Sequence, residues 1–463
     1  MEACKLENLS FAYAGSQTDA LSDVSLSVNK GEFCVVIGES ASGKSTLLKL
    51  LKKEIAPVGN LCGTVILNGT VGYVSQHFEE SLVTHKVASE LAFSPSNAKL
   101  SDEDISLMVA ETAAYFNLDG KLESDISSLS GGEKQILSLA SVMIMKPDIL
   151  VLDEPTSQLD PVSEAAFFDM LRTMQRDFGT TVIMAVHSLQ NVYGMADTLA
   201  VLDSARLVAK GEKSEVSDML IKKEHALRGT LPVNVYRGEK ATVEKPSGEI
   251  ILKAKNISFA YEKGKDVLSS LTLNIYKNRI NAIVGTNASG KSTLLKVLCG
   301  VKKQYRGKVR SDSQISMLPQ NVYDLFTFDT CGEETEFGEI TDFLAISDIK
   351  DRHPYDISGG QAQRLAIAKV LQTGAEILLL DEPTKGFDCV LKSKLAELLR
   401  SLCDSGKTVV IVTHDLEFAG KYADNAAFLS CGKIVCQMPK TEFFSKLRFY
   451  TTPLSRLTGG KEI

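Results

Sequence analysis

Two nine-residue stretches, GESASGKST (38–46) and GTNASGKST (285–293), differ only in their second and third letters. Each fits G-x-x-x-x-G-K-[ST], follows a short apolar run (EFCVVIG, RINAIVG) and precedes a helical pattern (TLLKLLKKE, TLLKVLCG). Small residues at these positions let backbone N–H groups wrap a phosphate chain while the following helix offers its positive end. One cradle is then built from Gly38, Ser40, Ala41, Ser42, Gly43 and Thr46, the other from Gly285, Asn287, Ala288, Ser289, Gly290 and Thr293. Lys44 and Lys291 reach the outer phosphates, and Ser45 and Ser292 bind Mg²⁺. A single copy could be a tight strand–helix turn without a ligand; two copies in register exclude coincidence.

A second chemical element is the acidic pair Asp153–Glu154 and its counterpart Asp381–Glu382, each closing a four-residue aliphatic run. Alone, such a pair could cap a helix ahead of Pro155 or Pro383. Beside a phosphate loop, the aspartate positions Mg²⁺ and the glutamate takes a proton from the attacking water. Asp153 and Asp381 are therefore assigned to the metal, and Glu154 and Glu382 to general-base work.

The elements that position these residues form a long internal repeat. SSLSGGEKQ answers YDISGGQAQ, DILVLDEPTSQLD answers EILLLDEPTKGFD, and TTVIMAVHS answers KTVVIVTHD, in the same order in both halves. Ser130 precedes Glu154 by 24 residues, as Ser358 precedes Glu382; His187 and His414 follow the two glutamates by 33 and 32. Repeats of this length, each with a core's worth of strands, indicate duplicated domains rather than a solenoid. Apolar runs without polar alternation, separated by helical segments, predict parallel strands buried on both faces and hence an α/β fold. We place a first domain at 1–227, a linker at 228–249, where Pro, Gly and mixed charges break any helical period, and a second domain at 250–463.

At 463 residues the chain exceeds the ~250–300 at which one core stops growing. Its formal net charge of −7 argues against a surface built to neutralise nucleic-acid phosphates. Nine cysteines without CxxC spacing read as small buried thiols of a reducing compartment. No apolar run approaches the ~20 residues of a membrane span, so work at a membrane requires a partner to hold the chain there.

With LSGGEKQ (129–135) and ISGGQAQ (357–363) added, nearly the whole chain resembles the ATP-binding-cassette superfamily. That resemblance implies two tandem domains, each with a core parallel sheet, an antiparallel β part and a helical subdomain. It also implies that the signature of one domain covers the ATP held by the other. Site one would combine Lys44, Ser45, Gln76, Asp153, Glu154 and His187 with Ser358, Gly359 and Gly360. Site two would combine Lys291, Ser292, Gln320, Asp381, Glu382 and His414 with Ser130, Gly131 and Gly132. By the same resemblance Gln76 and Gln320 reach both the metal and the γ-phosphate, and His187 and His414 sense that phosphate. Tyr13 and Tyr261, in the two FAY triplets, would stack on adenine; the alternative is a core aromatic with its hydroxyl satisfied. The cofactors expected are ATP and Mg²⁺, and both sites are expected to hydrolyse. Ile136 departs from the arginine that often follows the signature, and Ile357 from its leading leucine.

The interval from Gln76 to Ser130 is 54 residues, that from Gln320 to Ser358 only 38. In this superfamily the interval is the helical subdomain that grips the transport partner, so the second half is expected to carry a trimmed version. QHFEESLVTHKVASELAF (76–93), LPQNVYDLFTFDT (318–330), DEPTKGFD and the tail FFSKLRFYTTPLSRL (443–457) resemble the fused ATPases of energy-coupling-factor importers of vitamins and transition-metal ions. The partners implied are an integral membrane coupling subunit and a small membrane substrate-binding subunit, with no nucleic acid. The chain would lie peripherally on the cytoplasmic face of the cell membrane. The tail aromatics Phe443, Phe444, Phe449 and Tyr450 have a plainer alternative, covering the second domain. Two rival readings are a soluble tandem cassette acting on the ribosome and a tandem sugar-importer ATPase.

Overall fold

A computed structural model describes residues 1–16, 18–76, 81–157, 159–236, 248–447 and 450–458. The chain divides into two compact units, Met1–Tyr236 and Arg237–Ile463. The end expected at residue 227 falls inside a short 3-10 turn, Ala226–Thr230, and Leu227 and Leu231 are buried in the first unit's core. Residues 237–247 of the expected linker lie outside the described residues.

In the first unit, β1 (Glu2–Tyr13), β2 (Leu21–Asn29) and β4 (Gly59–Leu67) form an antiparallel sheet in the order β2-β1-β4. A second sheet takes β3 (Phe33–Gly38), β5 (Val71–Val74), β6 (Ile149–Asp153), β7 (Thr181–Ala185), β8 (Thr198–Asp203) and β9 (Arg206–Glu212) in the order β5-β6-β7-β3-β8-β9. All its pairs are parallel except the last, β8 with β9. The central strands β3, β6 and β7 are buried from end to end, which is why they read as unbroken apolar runs. Period-two geometry sends alternate residues to opposite layers: Phe33, Val35 and Ile37 join one core, Cys34 and Val36 the other. The first core is closed by helices 131–143 and 161–178, the second by the antiparallel sheet and helix 44–50.

The second unit repeats this plan. Here β10 (Ile250–Glu262), β11 (Lys265–Tyr276) and β13 (Arg306–Arg310) pair as β11-β10-β13. The strands β12 (Ile280–Val284), β14 (Ile315–Leu318), β15 (Ile377–Asp381), β16 (Thr408–Thr413), β17 (Asn425–Ser430) and β18 (Lys433–Pro439) form the sheet β14-β15-β16-β12-β17-β18. The expected fold class, two tandem α/β domains with antiparallel and helical parts, is the observed one.

The helical regions differ between units. The first carries helices of 11 and 14 residues, Val87–Asn97 and Asp102–Tyr115. At the corresponding place the second has only Cys331–Glu334 and Glu339–Phe343, of four and five residues. In the tail, Phe443 and Phe444 are fully buried in the second unit's core and Tyr450 packs against it, so these aromatics cover their own domain. Phe449 lies outside the described residues.

Candidate active sites

Each phosphate loop leaves the end of a buried parallel strand, β3 or β12, and enters a helix at Lys44 or Lys291. Gly43 and Gly290 hold φ of 101° and 100°, and Ala41 and Ala288 also lie in the left-handed region, at 64° and 59°. These turns aim successive N–H groups toward one side, the geometry of an anion cradle. Glycine is required where the strand ends: a Cβ on Gly38 would stand 2.4 Å from the Leu202 carbonyl oxygen, and one on Gly285 2.1 Å from that of Leu429. Lys44 Nζ donates to the carbonyls of Gly38 (2.8 Å) and Glu39 (3.0 Å), and Lys291 Nζ to those of Gly285 (2.9 Å) and Thr286 (2.8 Å). The hydroxyls of Ser42 and Ser289 are buried in these loops without a hydrogen-bond partner.

The acidic pairs stand at the ends of β6 and β15, one strand removed from the phosphate loops in the sheet order. Their backbone is fixed by the neighbouring strand, Glu154 N–H donating to the Ala185 carbonyl (3.0 Å) and Glu382 N–H to that of Val412 (2.8 Å). Both glutamates hold left-handed φ, 47° and 50°, a backbone strain of the kind that collects at functional positions.

In the first unit the carboxylates are fully engaged. Asp153 accepts from Ser45 Oγ (3.0 Å) and from Tyr73 Oη (3.1 Å). Glu154 accepts from Gln76 Nε2 (2.8 Å) and faces His187 Nε2 at 2.7 Å. Burial, then the Glu154 charge, raise the Asp153 carboxyl above its ordinary range, with Ser45 and Tyr73 opposing. Burial and the Asp153 charge push the Tyr73 hydroxyl far upward, so it remains a proton donor.

The second unit differs in its partners. Both oxygens of Asp381 are buried without a partner in hydrogen-bond geometry, and burial pushes the carboxyl up to about 6 against the pull of Ser292 and Lys291. Glu382 accepts from Thr413 Oγ1 (3.1 Å) and the His414 N–H (3.4 Å), and meets His414 Nδ1 at 2.9 Å. Burial works to raise Glu382, but the His414 charge and hydrogen bond overcome it and hold the carboxyl low. Burial likewise opposes the His414 cation, and Glu382 and Asp415 outweigh it, raising the imidazole. Gln320 is exposed and makes no hydrogen bond among the described residues, so the structure brings Gln76 to its glutamate but not Gln320.

Tyr13 and Tyr261 are 42% and 56% exposed, and each hydroxyl meets a loop threonine, Thr46 at 2.8 Å and Thr293 at 3.3 Å. Ser130 and Ser358 cap helices 131–143 and 359–371 with reciprocal bonds to Glu133 and Gln361. A Cβ on Gly359 or Gly360 would meet nothing within 4 Å, leaving an open glycine face.

The donor set suits Mg²⁺ and a triphosphate: a half-buried serine hydroxyl, a buried aspartate and a buried lysine belong to each site, and among the described residues the buried oxygens of Asp381 have no partner in hydrogen-bond geometry. Sequence reasoning missed Tyr73, hidden in an apolar strand, Thr413, which precedes a histidine already chosen, and Arg364. Arg364 stands six residues after Ser358, as Ile136 does after Ser130. It is buried and donates to the carbonyls of Gly360 (3.2 Å), Leu344 (3.1 Å) and Ala345 (3.1 Å).

The ABC transporter family profile matches residues 21–157 and 268–385, spanning both loops and both acidic pairs. A Bacillus cereus protein named as a candidate ABC transporter ATP-binding protein is 35% identical over 98% of this chain and 94% of its own. A similarly named protein of Methanosarcina acetivorans is 30% identical over 95% of this chain and 86% of its own. The chain belongs to the ABC transporter ATP-binding family and is an ATPase with two fused nucleotide-binding domains. Among solved structures, an RNase-L inhibitor is 22% identical with a TM-score of 0.69, covering 95% of this chain and 92% of its own. An archaeal ribosome recycling factor, solved with a ribosomal stalk protein, is 21% identical with a TM-score of 0.68, covering 95% and 91%. At this identity the likeness is one of fold.

Proposed function

We propose that this chain is the motor of an importer of the energy-coupling-factor type, hydrolysing two ATP molecules to move a vitamin or transition-metal ion through membrane partner subunits. The observation that carries this reading is matched machinery set beside unmatched helical regions. Each unit keeps its lysine, serine, aspartate, glutamate and histidine, while the two longer helices of the first unit correspond in chain order to only short helices in the second. Two unlike docking faces suit one asymmetric membrane partner. A cleft of about 420 Å³ in the first unit, lined by residues including Leu82, His85, Asp125 and Lys134, gives such a partner a place to enter. No helix among the described residues is long and apolar enough to cross a membrane, so membrane contact in this reading is indirect. The net charge of −7 disfavours the ribosome as partner.

In the working cycle, Lys44 and Lys291 exchange their loop carbonyls for phosphate oxygens. The family resemblance implies that each site is completed by the other unit's signature, Ser358 to Gly360 for the Lys44 loop and Ser130 to Gly132 for the Lys291 loop. A lone unit would hold half of each site, and fusion keeps the partner surface at high effective concentration. Mg²⁺, when bound, neutralises phosphate charge; Ser45 with Asp153, and Ser292 with Asp381, would hold it. Glu154 and Glu382 accept the proton of the attacking water. Glu154 can do so only after Gln76 and His187, which occupy its two oxygens, turn toward the γ-phosphate. Tyr13 and Tyr261 offer exposed rings to adenine.

The test is purification of the tagged full-length chain from detergent-solubilised membranes in the doubly substituted form, Glu154→Gln and Glu382→Gln. The expected result is ATP trapped without turnover, with two integral membrane proteins recovered. Recovery with ribosomes and no membrane protein would overturn the importer reading; wild-type turnover by the double variant would overturn the assignment of the bases.

A further inference from the structure

We infer that Tyr73 is a positioning residue for the metal-binding aspartate of the first unit, so that the two units hold Mg²⁺ with nucleotide unequally. The inference rests on the site assignment proposed above and goes beyond it.

The relevant difference lies in one strand position. Tyr73 in β5 is followed three residues later by Gln76, and the equivalent position before Gln320 in β14 is Met317. Tyr73 Oη donates to Oδ2 of Asp153 at 3.1 Å while Ser45 Oγ donates to Oδ1 at 3.0 Å. With a donor on each oxygen, the carboxylate plane is fixed before any ligand arrives. Ser45 approaches Asp153 with its proton, which leaves its lone pairs free for a cation. Tyr73 takes nothing from that arrangement, because it grips the other oxygen.

In the second unit the same position is apolar. The Met317 side chain belongs to the core layer under the sheet, where Cys299 Sγ lies 3.4 Å from its sulfur. Asp381 is as buried as Asp153, yet neither of its oxygens has a partner in hydrogen-bond geometry. Ser292 stands beside Asp381 as Ser45 stands beside Asp153, but Met317 offers no donor in place of Tyr73, so the ordering that Tyr73 supplies in advance has to be supplied on binding. Groups that orient a metal ligand from behind change metal affinity by roughly 10–100-fold when removed. An aspartate acting through water places the effect near the lower end, about tenfold.

The experiment uses the full-length chain with one phosphate loop disabled at a time. Lys291→Ala leaves the first unit to bind a fluorescent ATP analogue, and Lys44→Ala leaves the second. The readout is the Mg²⁺ concentration that half-saturates the Mg²⁺-dependent part of binding, together with affinity in the absence of Mg²⁺. In the Lys291→Ala protein, Tyr73→Phe should raise the Mg²⁺ midpoint about tenfold and leave Mg²⁺-free affinity unchanged. In the Lys44→Ala protein, Met317→Tyr should lower the midpoint of the second unit. An unmoved midpoint in Tyr73→Phe, or an equal loss of affinity with and without Mg²⁺, would overturn the inference. Should Tyr73→Phe not fold, the Met317→Tyr midpoint decides alone, and no change there overturns it. If neither lysine variant lowers the amount of nucleotide bound, the underlying site assignment fails, a result distinct from an unmoved Mg²⁺ midpoint.

Discussion

His187 presents Nε2 to Glu154 at 2.7 Å, with its Nδ1 buried and unpartnered. Its counterpart His414 turns the other edge, meeting Glu382 through Nδ1 at 2.9 Å. The same pair of residue types, at nearly the same spacing, is wired differently in the two halves. The neighbours explain it: Gln76 occupies one oxygen of Glu154, whereas Thr413 and the His414 N–H converge on one oxygen of Glu382.

The Glu382–His414 pair makes stability depend on pH. A raised histidine contributes fully below its ordinary value of 6.5 and loses the contribution as pH rises through the folded value. A lowered glutamate contributes above its ordinary 4.5 and loses the contribution as pH falls through the folded value. The pair is therefore most stabilising between about pH 4.5 and 6.5. His414→Ala should lower the melting temperature more at about pH 6 than at about pH 9, measured by calorimetry of the full chain. An equal drop at both would contradict the pairing.

Thr413 aligns the second base, and the corresponding residue Val186 cannot. In a Glu154→Gln background, where only the second site turns over, Thr413→Val should reduce the steady-state ATPase rate about tenfold, equivalent to ~1.4 kcal/mol. The same background isolates the effect from the first site. Nucleotide affinity should change little.

Gly38 has no room for a side chain. Gly38→Ala pushes a methyl to 2.4 Å from both the Leu202 carbonyl oxygen and Ser42 Oγ. We expect a loss of about 1–3 kcal/mol in denaturant unfolding, together with lost ATP binding at that loop. Gly359→Ala, whose methyl meets nothing within 4 Å, should leave unfolding nearly unchanged.

Arg364 ties the start of helix 359–371 to the Leu344–Ala345 corner through three carbonyls. Arg364→Ala should destabilise the second unit by about 1–3 kcal/mol and raise hydrogen exchange across the first turns of that helix. Arg364→Lys should not restore protection, because one ammonium cannot reproduce the planar fork. Ile136→Ala, at the matching position of the first unit, should not have this local signature.

Contiguous motifs made much of this legible in the sequence. The phosphate loops, the acidic pairs and the signatures each lie within one strand–turn–helix connection, where spacing along the chain fixes spacing in space. The all-buried strands β3, β6, β7, β12, β15 and β16 were readable for a related reason, since parallel strands covered on both faces admit few polar residues. What escaped was the contacts between segments distant in sequence. Tyr73 reaches Asp153 across 80 residues and Thr413 reaches Glu382 across 31, and neither stands out from the apolar strand that carries it. Gln76 bonds Glu154 whereas Gln320 is exposed, a difference that identical letters do not encode.

Each lysine ammonium is tied to two carbonyls of its own loop. An incoming ligand has to give those protons new acceptors before it can settle. A nucleoside brings only neutral acceptors, and a triphosphate brings several charged oxygens, which bind an ammonium more strongly. Selection for charge is thus built into the loop itself, ahead of any recognition of the base.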